Sequence, residues 1–149
     1  DWYGQIGVDE LGFSQFDYIE NGIRAGFYNL INGYFNAGYN TINTIITRYS
    51  ETDQQAYIDF VSNEMNKNPD DIIIPTADNL FSLSKAIMEF EVGVTDYNLY
   101  INDNMITAGY YALPDEIGGW VKTAAPTAIF AGANSFLLLI LAAGLIYNI

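Results

Sequence analysis

Charge stops abruptly near the C-terminus of this chain. All five basic and all eighteen acidic residues lie at or before Lys122, and residues 123–149 carry none. Residues 127–147 read TAIFAGANSFLLLILAAGLIY. As a helix that rises about 1.5 Å per residue, this stretch is long enough to cross a hydrocarbon core of about 30 Å. Pro126 suits the first turn of such a helix, and Trp120 suits a membrane interface. The sequence therefore predicts a C-terminal transmembrane helix, with a buried helix of an assembly as the alternative.

The residue types that are missing exclude several kinds of chemistry. With no histidine and no cysteine, the chain has no Ser-His-Asp or Cys-His catalytic centre, no disulfide, and no metal or haem held by histidine or thiolate. Carboxylate chemistry is what remains for catalysis, and no cofactor or metal is expected. The formal net charge of −13 opposes binding to nucleic acid, because phosphate recognition needs clustered lysine and arginine.

Apolar residues recur at helical spacing through the middle of the chain. Thr41 and Thr76 are expected N-caps, and Ser50 with Asp53 resembles a capping box. Before the first helix, residues 1–19 are rich in aromatic residues and glycine, which favours loops and short strands. Helices are predicted over about 21–35, 51–65, 77–91 and 96–111. A further short helix is predicted to begin at Thr41.

These elements predict one small domain with an appendage. The expected fold is all-α or α-dominated, with a helical domain over residues 1–113. Pro114 and the pair Gly118-Gly119 predict a linker over 114–122. The transmembrane anchor is expected over 123–149.

Short motifs follow one another in a recognisable order from Trp2 to Gly93. They resemble the small lysozyme-like domains of virion-associated proteins from bacteriophages and prophages, which are grouped with peptidoglycan-cleaving lytic enzymes. The resemblance implies a small lysozyme-like helical fold and the activity of a peptidoglycan glycosidase or lytic transglycosylase. The motifs are Trp2-Tyr3-Gly4, Phe13-Ser14-Gln15-Phe16, Gly22-Ile23-Arg24-Ala25, TINTIITRY over 41–49, DQQAYIDFV over 53–61 and AIMEFEVG over 86–93.

Glu91 is the candidate catalytic acid, since it occupies the E-x-G position of the last motif. Cleavage of a glycosidic bond needs a carboxylic acid that donates a proton to the leaving oxygen. The apolar neighbours Phe90 and Val92 are expected to desolvate this carboxyl group. The alternative is a helix-end residue with a structural hydrogen bond. Glu89 is expected to be solvated, because positions i and i+2 of a helix do not share a face.

Two arginines and two aromatic residues complete the predicted site. Arg24 and Arg48 fall within the motifs and are expected to hold helices together by pairing with carboxylates, with sugar or phosphate contact as the alternative. Trp2 and Tyr49 are the expected substrate-binding residues, because aromatic faces stack on pyranose rings. Core packing is the alternative for both.

Three functions are consistent with these features. The first is a membrane-anchored phage virion protein that degrades peptidoglycan while the host cell wall is penetrated, with peptidoglycan, a lipid membrane and other virion proteins as partners. The second is a non-catalytic minor structural virion protein that links capsid and internal membrane. Either function allows a homo-oligomer. Phe90 stands directly before Glu91, where members of the family often have a histidine. This replacement keeps the second function open. A cellular tail-anchored protein is a third alternative.

Overall fold

Helices dominate the structure, a computed structural model that describes residues 2–124. The described residues form six α-helices and two antiparallel β-hairpins. The helices are α1 (Ile19–Asn29), α2 (Ile42–Tyr49), α3 (Gln54–Met65), α4 (Ala77–Val92), α5 (Val94–Tyr100) and α6 (Asp103–Tyr111). The hairpins pair β1 (Gln5–Val8) with β2 (Ser14–Phe16) and β3 (Glu116–Ile117) with β4 (Trp120–Val121).

Helix α4 lies at the centre of the fold. Helices α3, α5, α6 and α1 all pack against it. Its four consecutive residues 86–89 are all buried, which happens only where a helix has neighbours on every side. The C-terminal half of α4 therefore holds its side chains in fixed surroundings, including those of its two glutamates.

The predicted helix over 21–35 begins two residues earlier and changes its winding before it ends. Helix α1 continues into one π-helical turn over Leu30–Tyr34 and a 3-10 turn over Phe35–Ala37. Gly38 then ends the segment with φ of 89°, a left-handed conformation that glycine adopts without steric cost. This stop turns the chain towards the start of α2.

Helix α2 confirms one predicted cap, and α3 corrects another. The Thr41 hydroxyl accepts a hydrogen bond from the Thr44 backbone N–H at 3.1 Å, as an N-cap requires. The capping box predicted at Ser50 and Asp53 is wrong. Asp53 has a left-handed backbone and makes no side-chain cap, and the Ser50 hydroxyl donates to the Thr52 carbonyl instead. The apolar face predicted for α2 is buried: Ile42, Ile45, Ile46 and Tyr49.

The single helix predicted over 96–111 is two helices. The chain leaves α5 in an extended conformation at Ile101, and the Asn102 side chain accepts a hydrogen bond from the Met105 backbone N–H at 3.0 Å. Asparagine is a strong N-cap, so α6 starts directly after it. Asp103 is consequently held in the first turn of α6.

The segment expected to be a linker contains the second hairpin. Gly118 and Gly119, with φ of 53° and 89°, form the turn between β3 and β4, and conformations of this kind favour glycine. Ile117 is buried, and the Trp120 indole N–H donates to the Pro75 carbonyl at 2.8 Å. This hairpin therefore packs on the helices.

The predicted fold class, a small lysozyme-like helical domain followed by a C-terminal transmembrane helix, is wrong. Among residues 2–124, no helix is long and apolar enough to cross a membrane. The longest of them, α4, has 16 residues and measures about 24 Å, and it carries four charged side chains. The span predicted over 123–149 lies, apart from its first two residues, outside the described residues. What the structure shows is a helix-dominated domain with two small hairpins.

Gly109 sets the close approach of α6 to α1. A Cβ atom at this position would lie 2.5 Å from Ile23 Cγ2 and 3.1 Å from the Arg24 backbone nitrogen. We expect Gly109→Val to lower the free energy of unfolding by about 1–3 kcal/mol, because an overpacked contact must open. Urea unfolding measures this loss. Gly7→Val is the matched control, since a Cβ there has only an ordinary contact at 3.6 Å. Equal losses in the two variants would contradict the close crossing.

Candidate active site

The two glutamates near the end of α4 occupy opposite environments. The environments expected for them were wrong, since Glu89 is only 7% exposed and Glu91 is exposed. The reason is the central position of α4, because neighbours on every side bury a face that would be solvated on a surface helix. Glu89 therefore has the desolvated surroundings that were expected for Glu91.

Glu89 lies among charged groups from three helices. Its Oε1 atom is 4.0 Å from Lys85 Nζ, one turn earlier in α4. The carboxyl groups of Glu64 from α3 and Asp103 from α6 lie near enough to act on its titration. Burial raises the pKa of Glu89, Lys85 opposes the increase, and Glu64 and Asp103 add to it. The group that results holds its proton at a higher pH than an ordinary glutamate does.

Lys85 joins Glu89 to a second carboxylate. Its Nζ atom is 3.1 Å from Asp103 Oδ1, and the hydroxyl of the buried Tyr97 donates to the same oxygen at 2.9 Å. Burial and the hydrogen bond to Asp103 raise the pKa of Tyr97, so its hydroxyl remains a donor. Because both oxygens contact Lys85, they are at most about 7 Å apart. Paired carboxyls in glycosidases are separated by about 5 to 9.5 Å.

Glu91 is held by a tyrosine of α3. The Tyr57 hydroxyl donates to Glu91 Oε1 at 2.8 Å, and the Tyr57 ring is 1% exposed. Phe90 stacks on that ring with a centroid distance of 3.9 Å. Burial raises the pKa of Tyr57, as do the charges of Tyr49 and Glu91 around its hydroxyl. Glu91 is thus an exposed carboxyl group that accepts a hydrogen bond from a buried, neutral tyrosine.

The predicted substrate-binding residue Tyr49 is buried at 8% exposure. Its ring meets that of Tyr57 edge-on at 5.9 Å, and burial, with the charge of Glu91, raises the pKa of Tyr49. Tyr49 therefore lies in the core and contacts Tyr57, the residue that donates a hydrogen bond to Glu91. Its neighbour Arg48 lies on the exposed face of α2, with its guanidinium 4.6 Å from the centroid of the Tyr39 ring.

Trp2 and Arg24 make their contacts along α1. The Trp2 ring packs edge-on against Tyr28 at 5.8 Å. Arg24 Nε donates to the Ala112 carbonyl at 2.8 Å, and its guanidinium lies over the Tyr3 ring at 5.3 Å. Arg24 thus ties α1 to the end of α6 through a carbonyl and an aromatic ring, where carboxylate partners were expected. Of the predicted site residues, Tyr49 therefore lies close to Glu91. Trp2 and Arg24 have separate surroundings.

The arrangement around α4 suits acid–base chemistry. It combines a buried carboxyl group with a raised pKa, a second carboxylate and a lysine between them. Over residues 2–124, no group of three or more acidic side chains could hold a metal ion. No family model, no curated protein and no solved structure matches the chain, so the site rests on its own geometry.

Sequence reasoning missed the partners of Glu89. Lys85 and Glu89 stand four residues apart, a spacing that predicts an ion pair on a helix, and this signal was available. The apolar run 86–88 directly before Glu89 also indicates a helix that is buried all round. Asp103 and Glu64 reach the site only through tertiary packing.

The titration of Glu89 predicts a pH dependence of stability. Its pKa is raised above the ordinary 4.5, so the folded chain keeps this proton to higher pH than the unfolded chain. The stability it contributes is full below about pH 4.5 and is lost as the pH rises through the folded-state pKa. We expect Glu89→Gln to gain in Tm relative to the parent as the pH rises from 4.5 to 8. Thermal melts across this range measure the difference in Tm between variant and parent, and a difference that does not change with pH would contradict the assignment.

Proposed function

We propose that this domain cleaves the glycan strands of peptidoglycan, as part of a phage particle that penetrates the host cell wall. The observation that carries the proposal is the buried Glu89 carboxyl group, set within about 7 Å of the Asp103 carboxylate through Lys85. The ordered motifs between residues 2 and 93 support peptidoglycan as the substrate. Peptidoglycan and other virion proteins are the proposed partners.

Glu89 is the proposed proton donor. A glycosidic bond breaks when an acid protonates the leaving oxygen while positive charge develops on the sugar ring. The raised pKa of Glu89 keeps a proton available, and only a small part of this side chain is reachable from solvent. Asp103, more than half exposed, is the carboxylate placed to stabilise the developing charge or to activate water. Lys85 and Tyr97 position Asp103 through their contacts with its Oδ1 atom.

Glu91 stays the prediction of the motif resemblance. Tyr57 orients it, but its side chain is exposed, whereas that of Glu89 is buried. A role as a supporting substrate ligand fits this position. Variants of the two glutamates separate these roles.

The activity is tested by incubating dye-labelled, purified peptidoglycan sacculi with the full chain. We expect soluble label to appear with time and in proportion to the amount of protein. Heat-inactivated protein is the control for adsorbed label. Absence of release by a folded chain would contradict the proposal.

A second function is favoured by the first hairpin. Its exposed side chains are largely apolar although they face solvent, and a surface of this kind is typical of protein–protein contact. The residues are Tyr3, Ile6, Val8 and Leu11. We propose as the alternative a non-catalytic structural protein of the virion, which would attach to a neighbouring protein through this hairpin.

A further inference from the structure

The outer face of the first hairpin is apolar and open to solvent. Along β1, half-buried and exposed side chains alternate, and the exposed ones are Ile6 at 59% and Val8 at 60%. Tyr3 and Leu11 extend this face beyond the two ends of the strand, with 70% and 74% of their surface exposed. The solvated face of a hairpin normally carries polar side chains, so an apolar one is a candidate contact surface.

Strand β1 is also the outer strand of the hairpin. Within residues 2–124 it pairs only with β2, and β2 packs against α1. A register shift between Gln5 and Gly7 limits regular pairing to the C-terminal part of β1. There the Asp9 N–H donates to the Phe13 carbonyl at 2.8 Å, so the backbone groups of Val8 point away from β2. Outward backbone groups on an edge strand can pair with an added extended segment.

Carboxylates stand at both ends of this edge strand. Asp9 follows β1 directly, and the Asp17 N–H donates to the carbonyl of Gly4, directly before β1, at 3.0 Å. Asp9 Oδ1 accepts a hydrogen bond from the Leu11 N–H at 2.9 Å, and Asp17 Oδ1 accepts one from the Asn21 amide at 2.7 Å. Both side chains are therefore ordered, and the outer face lies between two fixed negative charges.

The charge around the hairpin selects the kind of partner. Residues 2–23 contain four carboxylates and neither lysine nor arginine. The first basic residue, Arg24, lies over the Tyr3 ring and donates to the Ala112 carbonyl. A second copy of this chain would bring the same carboxylates against these, and an anionic membrane would be repelled as well. A complementary partner carries basic side chains beside apolar ones.

We propose that the first hairpin binds an extended segment of a partner protein in which apolar and basic side chains alternate. Apolar side chains of the segment cover Ile6 and Val8. Its basic side chains contact Asp9 and Asp17 at the two ends of β1, while its backbone pairs with that of Val8. This inference deepens the alternative function and rests on it for the neighbouring protein, and it does not require that the chain cleave glycan.

The test is a binding titration of the full chain with three synthetic peptides of equal length. One alternates valine and lysine, the second alternates valine and glutamate, and the third has the composition of the first with all its valines before its lysines. We expect the first peptide to bind about tenfold tighter than either of the others and to shift the backbone amide signal of Val8. Its affinity should fall as salt is added, because surface charge pairs are screened.

Two variants separate the apolar contact from the charge contact. Val8→Lys places a basic side chain on the outer face and should lower the affinity for the alternating lysine peptide about tenfold. Val121→Lys is the matched control, since Val121 is 64% exposed on the second hairpin, and it should leave this affinity unchanged. Asp17→Asn keeps an oxygen that accepts from Asn21 but removes the charge, so the lysine and glutamate peptides should become closer in affinity. A thermal melt of each variant checks that it is folded.

Equal affinity for the three peptides would overturn the inference, and so would a Val8→Lys variant that binds the alternating lysine peptide as the parent does. Without peptide binding, self-association or binding to phosphatidylcholine vesicles that Val8→Lys abolishes would overturn it too, and would assign the outer face to a second copy or to a lipid surface. Release of label from sacculi is measured on the same proteins. Selective peptide binding together with release would uphold the inference and reject the non-catalytic function, whereas release without selective binding would reject the inference alone.

Discussion

Glu89→Gln should lower the rate of label release from peptidoglycan sacculi by about 100-fold or more, since a positioned general acid contributes roughly 10² to 10⁴ to a rate. Glutamine has nearly the same shape as glutamate but has no proton of this acidity to donate. The side chain stays buried beside Lys85 and Glu64, so the fold should be retained. Initial rates at equal protein concentration, with a thermal melt of each protein, measure the effect.

Glu91→Gln is the matched control, because it makes the same change two residues further along α4 in an exposed position. We expect the rate of label release by this variant to stay within about tenfold of the parent rate. Glu91→Gln removes only a supporting contact, and this costs less than the loss of a general acid. If Glu91→Gln abolishes release while Glu89→Gln is active, the motif resemblance has identified the acid and the geometric assignment is wrong.

Tyr57→Ala should lower the free energy of unfolding by about 3–5 kcal/mol, the usual cost of deleting a fully buried aromatic side chain. The Tyr57 ring is stacked on Phe90 at 3.9 Å and meets Tyr49 edge-on at 5.9 Å, so the variant leaves a cavity between α2, α3 and α4. Its hydroxyl also donates to Glu91, and that bond is lost as well. Chemical unfolding in urea measures the change.

Tyr57→Phe separates packing from the hydrogen bond at the same position. It keeps the ring and removes only the donor to Glu91, so a loss of about 1 kcal/mol is expected. Equal losses in Tyr57→Ala and Tyr57→Phe would show that the hydrogen bond, and not the packing, holds α3 to α4.

Local signals in the sequence predicted the helices well where each helix has one buried face. Helix α2 is the clearest case, since Thr41 caps it and its apolar face is spaced at three and four residues. The same reasoning failed at the junction of α5 and α6, because apolar spacing continues across the break and only the capping asparagine marks it. The second hairpin lies in the segment predicted to be a linker, because paired glycines suit both a linker and a hairpin turn.

The sequence predicted where the candidate site lies but not which of its glutamates is buried. The resemblance pointed to the end of α4, and both glutamates are there. Which of them is buried depends on the helices that surround α4, and periodicity along one helix does not contain that information. Asp103 illustrates the limit most clearly, because it contacts Lys85 from 18 positions away in the chain.

Mass spectrometry of the soluble fragments that the full chain releases from purified sacculi tests whether Glu89 protonates a glycosidic bond. We predict disaccharide–peptide fragments that end in a reducing or a 1,6-anhydro sugar, which only cleavage of the glycan produces, and their absence with Glu89→Gln. Fragments that are free stem peptides, or no soluble fragments at all from a folded chain, would rule out cleavage of the glycan by this domain.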